Sequence, residues 1–198
     1  MTRRIGILIF DDAEELDFVG PYEVFTMARQ SKPEGYETLL IAMRDAPVRC
    51  AKGMTVLPHA TIANCGPLDI LLIPGGQGTR REVNNTPLLD WIAACRATWI
   101  TSVCTGAMLL TAAGPARGKR VTTHWAFVQS LRDRNEAAEV LENYRYVRDG
   151  HVVTAAGVSA GIDMALWLVG QLDGIPFARQ VQRAMEYEPL PPYGGLTD

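Results

Sequence analysis

The stretch Thr98-Trp-Ile-Thr-Ser-Val-Cys-Thr-Gly-Ala-Met-Leu-Leu-Thr-Ala-Ala113 decides the fold class of this chain. Residues 98–103 are rich in β-branched side chains and read as a strand. Residues 105–113 are small or apolar and read as a helix. No loop residues separate the two patterns, so the chain must turn sharply at Cys104. Such a strand-to-helix corner is a nucleophile elbow, an arrangement better known with serine. It lifts the side chain out of the sheet and aims the N–H groups of the next helix at the sulfur, which favours a thiolate.

Outward from this corner, strand and helix patterns alternate. Residues 4–10 form a near-continuous aliphatic run, typical of a strand buried on both faces. Residues 17–30 read as a helix, with Pro21 early in it, where proline is tolerated. Further strands are expected over 36–43, 68–73 and 119–122, with a short hairpin over 48–57. Asp149-Gly150 marks the turn of a second hairpin between 144–148 and 151–155. Helices are expected over 87–96, 125–134, 160–172 and 176–186. This alternation implies an α/β fold, a mainly parallel sheet covered on both faces. A single domain over 1–188 and an irregular Pro/Gly-rich tail over 189–198 complete the expected organisation. Ligands of such sheets collect at the carboxyl ends of the strands. Residues 11–17, 74–76, Cys104 and the segment after Ala155 all follow strands, so they can converge on one site.

Composition narrows the function classes. The chain has 198 residues, 47% apolar and 21% charged, with a net charge of −3 and no basic run. Nucleic-acid binding therefore lacks electrostatic support. No apolar stretch is long enough for a membrane span. The N-terminal apolar run is short and meets Asp11-Asp12 at once, unlike a signal peptide, and a cytoplasmic protein is expected. Cys50, Cys65, Cys95 and Cys104 show no C-x-x-C pair and no metal-ligand spacing with His59, His124 or His151. The first three read as small buried or half-buried side chains, and His59 and His151 as surface residues.

Four segments carry candidate chemistry besides Cys104. Pro74-Gly75-Gly76-Gln77-Gly78 follows a strand but lacks the G-K-[ST] of a phosphate loop. It reads as an oxyanion-type turn, with backbone donors at Gly76 and Thr105, or as a plain tight turn. Asp17 opens a helix beside Leu16, Phe18 and Val19. It is either a favourable acid at a helix start or a carboxyl of raised pKa able to carry protons. Glu14 and Glu15 read as solvated. His124 is either a partner of Cys104 or a structural histidine. Gly157-Val-Ser-Ala-Gly-Ile-Asp163 lines a pocket or lets a helix pack closely. Trp125, Phe18, Tyr22 and Val158 are candidates for an apolar pocket wall.

Together, Glu14-Glu-Leu-Asp17, Gly20-Pro21, Ile73-Pro-Gly-Gly76, Ser102-Val-Cys-Thr-Gly106, Thr123-His-Trp125 and Ser159-Ala-Gly-Ile-Asp163 resemble the ThiJ/PfpI superfamily, related to class I glutamine amidotransferases. The resemblance covers nearly the whole chain in the same order. Ser102–Gly106 and the tail Glu186-Tyr-Glu-Pro-Leu-Pro-Pro-Tyr193 are most similar to its isocyanide hydratase branch. The resemblance implies a flavodoxin-like three-layer sandwich, commonly a homodimer, with a small-molecule substrate and neither metal nor organic cofactor. It places Cys104 as nucleophile, Asp17 as acidic partner, Gly76 and Thr105 as backbone donors, and the Thr105 hydroxyl near substrate or water. The protease-like branch carries histidine directly after the cysteine, where this chain has Thr105.

The resemblance thus implies a hydro-lyase that turns an organic isocyanide into an N-substituted formamide through a covalent thioimidate. Two rivals use the same cysteine. One is a glyoxalase- or deglycase-like enzyme acting on small aldehydes, leaning on His124. The other is a non-enzymatic redox sensor in which Cys104 is oxidised.

Overall fold

A computed structural model describes residues 2–188. The elements run β1 (Arg3–Leu8), α1 (Glu15–Ser31), β2 (Tyr36–Ala42), β3 (Val48–Arg49), β4 (Thr55–Val56), β5 (Ala60–Thr61), β6 (Ile70–Ile73), α2 (Thr79–Glu82), α3 (Thr86–Ala94) and β7 (Trp99–Val103). They continue as α4 (Gly106–Ala113), β8 (Arg120–Val121), a 3₁₀ turn (Trp125–Phe127), α5 (Val128–Asp133), β9 (Glu139–Val140), β10 (Tyr146–Asp149), β11 (Val152–Ala155), α6 (Ala160–Asp173) and α7 (Ile175–Ala184). The irregular tail expected over 189–198 lies outside the described residues.

The main sheet has the order β10-β11-β7-β6-β1-β2-β5. Every neighbouring pair is parallel except β10–β11, the expected hairpin at one edge. All four residues of β6 and of β11 are buried, as strands covered on both faces require. Helices α1, α6 and α7 form one mutually packed group; α2 and α3 pack against α4 in another. The mainly parallel α/β architecture expected from the alternating pattern is present.

Several short elements had no sequence signal. Strand β5 has two residues and extends the sheet edge beside β2. Residues 119–122, expected as one more strand, contribute only β8, which leaves the main sheet and pairs with β9. The expected helix over 125–134 is divided into a 3₁₀ turn and α5. Two-residue strands and single turns are set by long-range pairing rather than by their own periodicity.

The carboxyl ends of β1, β6, β7 and β11 lie side by side, and tight backbone contacts bind their loops together. Glu14 N–H donates to Gly75 O at 2.9 Å, and Gly78 N–H to Asp12 O at 3.1 Å. Glycine is required here: a Cβ on Gly76 (φ +117°) would lie 2.4 Å from Asp12 O. Small residues also let α1 and α6 approach. A Cβ on Gly20 would meet Ile162 Cγ1 at 2.8 Å, and one on Gly161 would meet Pro21 Cγ at 3.1 Å.

Candidate active site

Strand β7 ends at Val103, and α4 begins three residues later, at Gly106. The corner between them is Cys104, at φ +56°. A non-glycine residue in this region costs roughly 1–2 kcal/mol and persists only where its surroundings hold it. They hold it from both sides. Cys104 N–H donates to Ala156 O at 2.6 Å, and Cys104 O accepts the Thr123 hydroxyl at 2.7 Å. Gly106 completes the corner, because a Cβ there would fall 2.3 Å from Ile73 O.

Asp17 lies in the first turn of α1 and is fully buried. Its Oδ2 accepts Gly75 N–H at 2.8 Å and its Oδ1 accepts Val158 N–H at 3.0 Å. Burial is the main force on this group and raises its pKa to about 7; the Glu14 charge adds to the rise, and the Gly75 and Val158 N–H groups and the neighbouring Cys104 side chain oppose it. Asp17 is thus an acid whose two forms coexist near neutrality.

The thiol behaves differently from the expectation at the elbow. Burial, then the charge of Asp17, pushes the Cys104 pKa up to about 12. The neighbouring Thr105 N–H and hydroxyl pull the other way, without prevailing. The helix-end influence foreseen from sequence is outweighed by desolvation at a residue 6% exposed. Cys104 at rest is therefore a thiol, not a thiolate.

The remaining sequence candidates divide. Thr105 is in place beside the sulfur. Gly76 N–H is directed to Thr105 Oγ1 at 3.1 Å, so it holds Thr105 rather than facing Sγ. Gly75 is the glycine that adjoins the sulfur-bearing corner: its missing Cβ would lie 2.5 Å from Thr105 N and 2.8 Å from Cys104 Cβ. His124 accepts Ala126 N–H on Nδ1 and makes no hydrogen bond to Cys104 among the described residues. Burial lowers its pKa, so it is neutral at pH 7. Glu14 and Glu15, read as solvated, are half-buried. Glu14 pairs with Lys52, and Glu15 Oε1 accepts Lys52 N–H at 2.7 Å while its Oε2 is buried without a partner.

Of the four pocket-wall candidates, Phe18 is in the core and Tyr22 stacks on His59, whereas Trp125 is 82% exposed. Trp125 borders a cavity of about 410 Å³ with His124, Val128, Tyr144 and Gly157. The Val158 contribution is its N–H to Asp17, which no sequence pattern announced. The small-residue run 157–163 therefore both packs a helix and contacts the site. Among the described residues, no group of three His, Cys, Asp or Glu is placed to hold a metal ion, and no helix is long and apolar enough to cross a membrane.

Comparison with known proteins identifies the family. Residues 3–171 match the DJ-1/PfpI family. The chain is 39% identical over 195 residues to the isonitrile hydratase of Pseudomonas putida, covering 98% of this chain and 82% of that protein. A ThiJ/PfpI family protein from Pseudomonas syringae superposes with a TM-score of 0.87 at 32% identity, over 98% of this chain and 78% of the other. Drosophila melanogaster DJ-1beta shares the fold with a TM-score of 0.81 at 20% identity, over 96% and 100% of the two chains. The chain belongs to the DJ-1/PfpI family.

Proposed function

We propose that this protein hydrates an organic isocyanide to the N-substituted formamide, with Cys104 as nucleophile and Asp17 as proton carrier. One observation carries the reading. A fully buried carboxyl, fixed by two backbone N–H groups and titrating near neutrality, neighbours a thiol held on a strained corner. The similarity to isonitrile hydratase supports the same substrate class.

The chemistry follows from the resting protonation. Asp17 carboxylate takes the thiol proton as Sγ attacks the terminal isocyanide carbon and a C–S bond forms. Asp17 then returns that proton to the carbon, giving a thioimidate, Cys–S–CH=N–R. Water adds to the thioimidate carbon while Asp17 removes one water proton and passes it to nitrogen. The tetrahedral species collapses: its hydroxyl proton travels through Asp17 to the departing sulfur, the C–S bond breaks, and the formamide R–NH–CHO leaves. Asp17 and Cys104 end as they began. A carboxyl titrating near 7 suits both halves of this cycle, because the best general acid–base has a pKa near the operating pH. Covalent catalysis divides one difficult hydration into two easier steps. The uncharged substrate needs no counter-charge, and the cavity beside Trp125 and Tyr144 suits an apolar N-substituent.

The test is a steady-state assay with a bulky alkyl isocyanide on wild type and Cys104→Ala. Formamide from wild type alone supports the reading. None from folded wild type sinks it, and methylglyoxal and peroxide then test the aldehyde and redox rivals.

A further inference from the structure

Residues 156–159 join β11 to α6 and present two backbone groups to the site. Ala156 O accepts Cys104 N–H, and Val158 N–H donates to Asp17 Oδ1. One residue, Arg145, grips both ends of this segment from just before β10. At the near end, its carbonyl accepts Ala156 N–H at 2.9 Å. At the far end, its guanidinium donates from Nη2 to Ser159 Oγ at 3.0 Å and from Nε to Asp163 Oδ2 at 2.6 Å. Ser159 is the N-cap of α6, and Asp163 lies in its first turn.

The segment needs a grip of this kind. Gly157 brings no side chain to anchor it. Val158, at φ +50°, holds a strained conformation that persists only where its surroundings impose it. The segment's own turn contacts, Ala160 N–H to Gly157 O at 3.0 Å and Ile162 N–H to Ser159 O at 3.1 Å, tie it to the start of α6 but not to the sheet. Arg145 supplies the tie to β10. Its ion pair with Asp163 is largely shielded, the two side chains being 19% and 17% exposed, so water competes weakly for it. Tyr187 holds Asp163 from the other side, its hydroxyl donating to Oδ1 at 2.9 Å. A planar guanidinium reaches Ser159 and Asp163 at once, as a single ammonium point charge does not.

We propose that Arg145 is a positioning residue: by fastening residues 156–159 at both ends, it keeps Val158 N–H on Asp17 and Ala156 O on Cys104 N–H.

The inference rests on the reading of Asp17 and Cys104 as the working pair, but its test uses no substrate, so a chain that hydrates no isocyanide still answers it. Arg145→Met combined with Asp163→Asn removes the ion pair without stranding a shielded charge, and it leaves the net charge unchanged. Amide hydrogen exchange is followed by NMR at Val158 and at Ile9, whose N–H donates to Ile41 O on β2 at 2.8 Å. Val158 should exchange about 10- to 100-fold faster than in wild type, while Ile9 stays within about twofold. On the same samples, carbon-13 NMR follows the Asp17 carboxyl, assigned by its loss in Asp17→Asn. Its titration midpoint should rise by about one unit, because the Val158 N–H favours the charged form. The groups that face Asp17 are Glu14 from the loop before α1, Cys104 from the elbow and Lys52 from the β3–β4 turn, and both proteins share them. Ser159→Ala, which changes no charge, gives the same readouts with a smaller change if the double variant misfolds. Equal acceleration at Val158 and Ile9, a wild-type exchange rate at Val158, or an unchanged Asp17 midpoint overturns the proposal.

Discussion

The backbone N–H of Val158 donates to Asp17 Oδ1 at 3.0 Å, across 141 positions of sequence. Val158 has φ +50°, so a β-branched residue is held in the left-handed region to make this contact. With Gly75 N–H on the other oxygen, the carboxyl is fixed in both position and orientation. Removing its charge, and not only its bulk, is therefore informative.

In Asp17→Asn, the amide must turn its NH₂ group toward one of the two N–H donors. The mismatch should cost about 1–3 kcal/mol of stability. Turnover should fall about 10²–10⁴-fold with the loss of proton transfer. Iodoacetamide labelling of Cys104 should nevertheless become faster, because the Asp17 charge is one of the forces raising the thiol pKa. Turnover and labelling measured on one preparation separate proton transfer from simple thiol acidity. Equal slowing of both would contradict the assigned role.

The pH dependence has a defined sign. Burial raises the Asp17 pKa from 3.8 to about 7. Between those values the folded chain binds a proton that the unfolded chain has released, so this group's contribution to stability falls as pH rises through the window. The full change is on the order of 4 kcal/mol. Denaturant unfolding of wild type and Asp17→Asn at pH 5 and pH 8 reads the part of it above pH 5, about 3 kcal/mol. The variant should gain on wild type at the higher pH. Over the same range, wild-type kcat/KM should rise with pH toward a plateau above about 7, as the carboxylate base forms.

Gly75→Ala should abolish the site. The new Cβ would fall 2.5 Å from Thr105 N and 2.6 Å from Thr105 Oγ1, against backbone that cannot move without displacing Cys104. Overpacking of this kind costs about 1–3 kcal/mol. The expected outcome is a folded but less stable chain, seen by thermal melting, with no detectable turnover.

His124→Ala should leave Cys104 labelling rates and their pH dependence within about twofold of wild type, since an interaction with the thiol of 1.4 kcal/mol would already appear as tenfold. The ring caps Ala126 N–H and packs between Trp125 and Phe127 instead. A larger change at Cys104 would restore the cysteine–histidine pair.

The sequence was most legible where local pattern and tertiary role agree. The aliphatic runs, the corner at Cys104, the hairpin turn at Asp149-Gly150 and the order of strand and helix all carry their own periodicity or breaker residues. Partners contributed by backbone were not legible. Gly75 and Val158 act through N–H groups, which every non-proline residue possesses, so residue type gives no signal. Gly76 and Gly75 are adjacent and alike in sequence, and only the three-dimensional turn decides which one borders the sulfur. The sequence reading of Cys104 as a thiolate failed for a physical reason. It weighed the helix-end donors but not the desolvation that the structure imposes.

The order in which the chain is synthesised gives the β11–β7 pairing a further meaning. A growing polypeptide that has reached Gly150 already contains Cys104, Asp17, Gly75 and Thr105. It still lacks Ala155 and Ala156, which accept the Cys104 N–H, and Val158, which fixes Asp17. The backbone partners of Cys104 and Asp17 are therefore complete only once β11 and the residues just after it have been added.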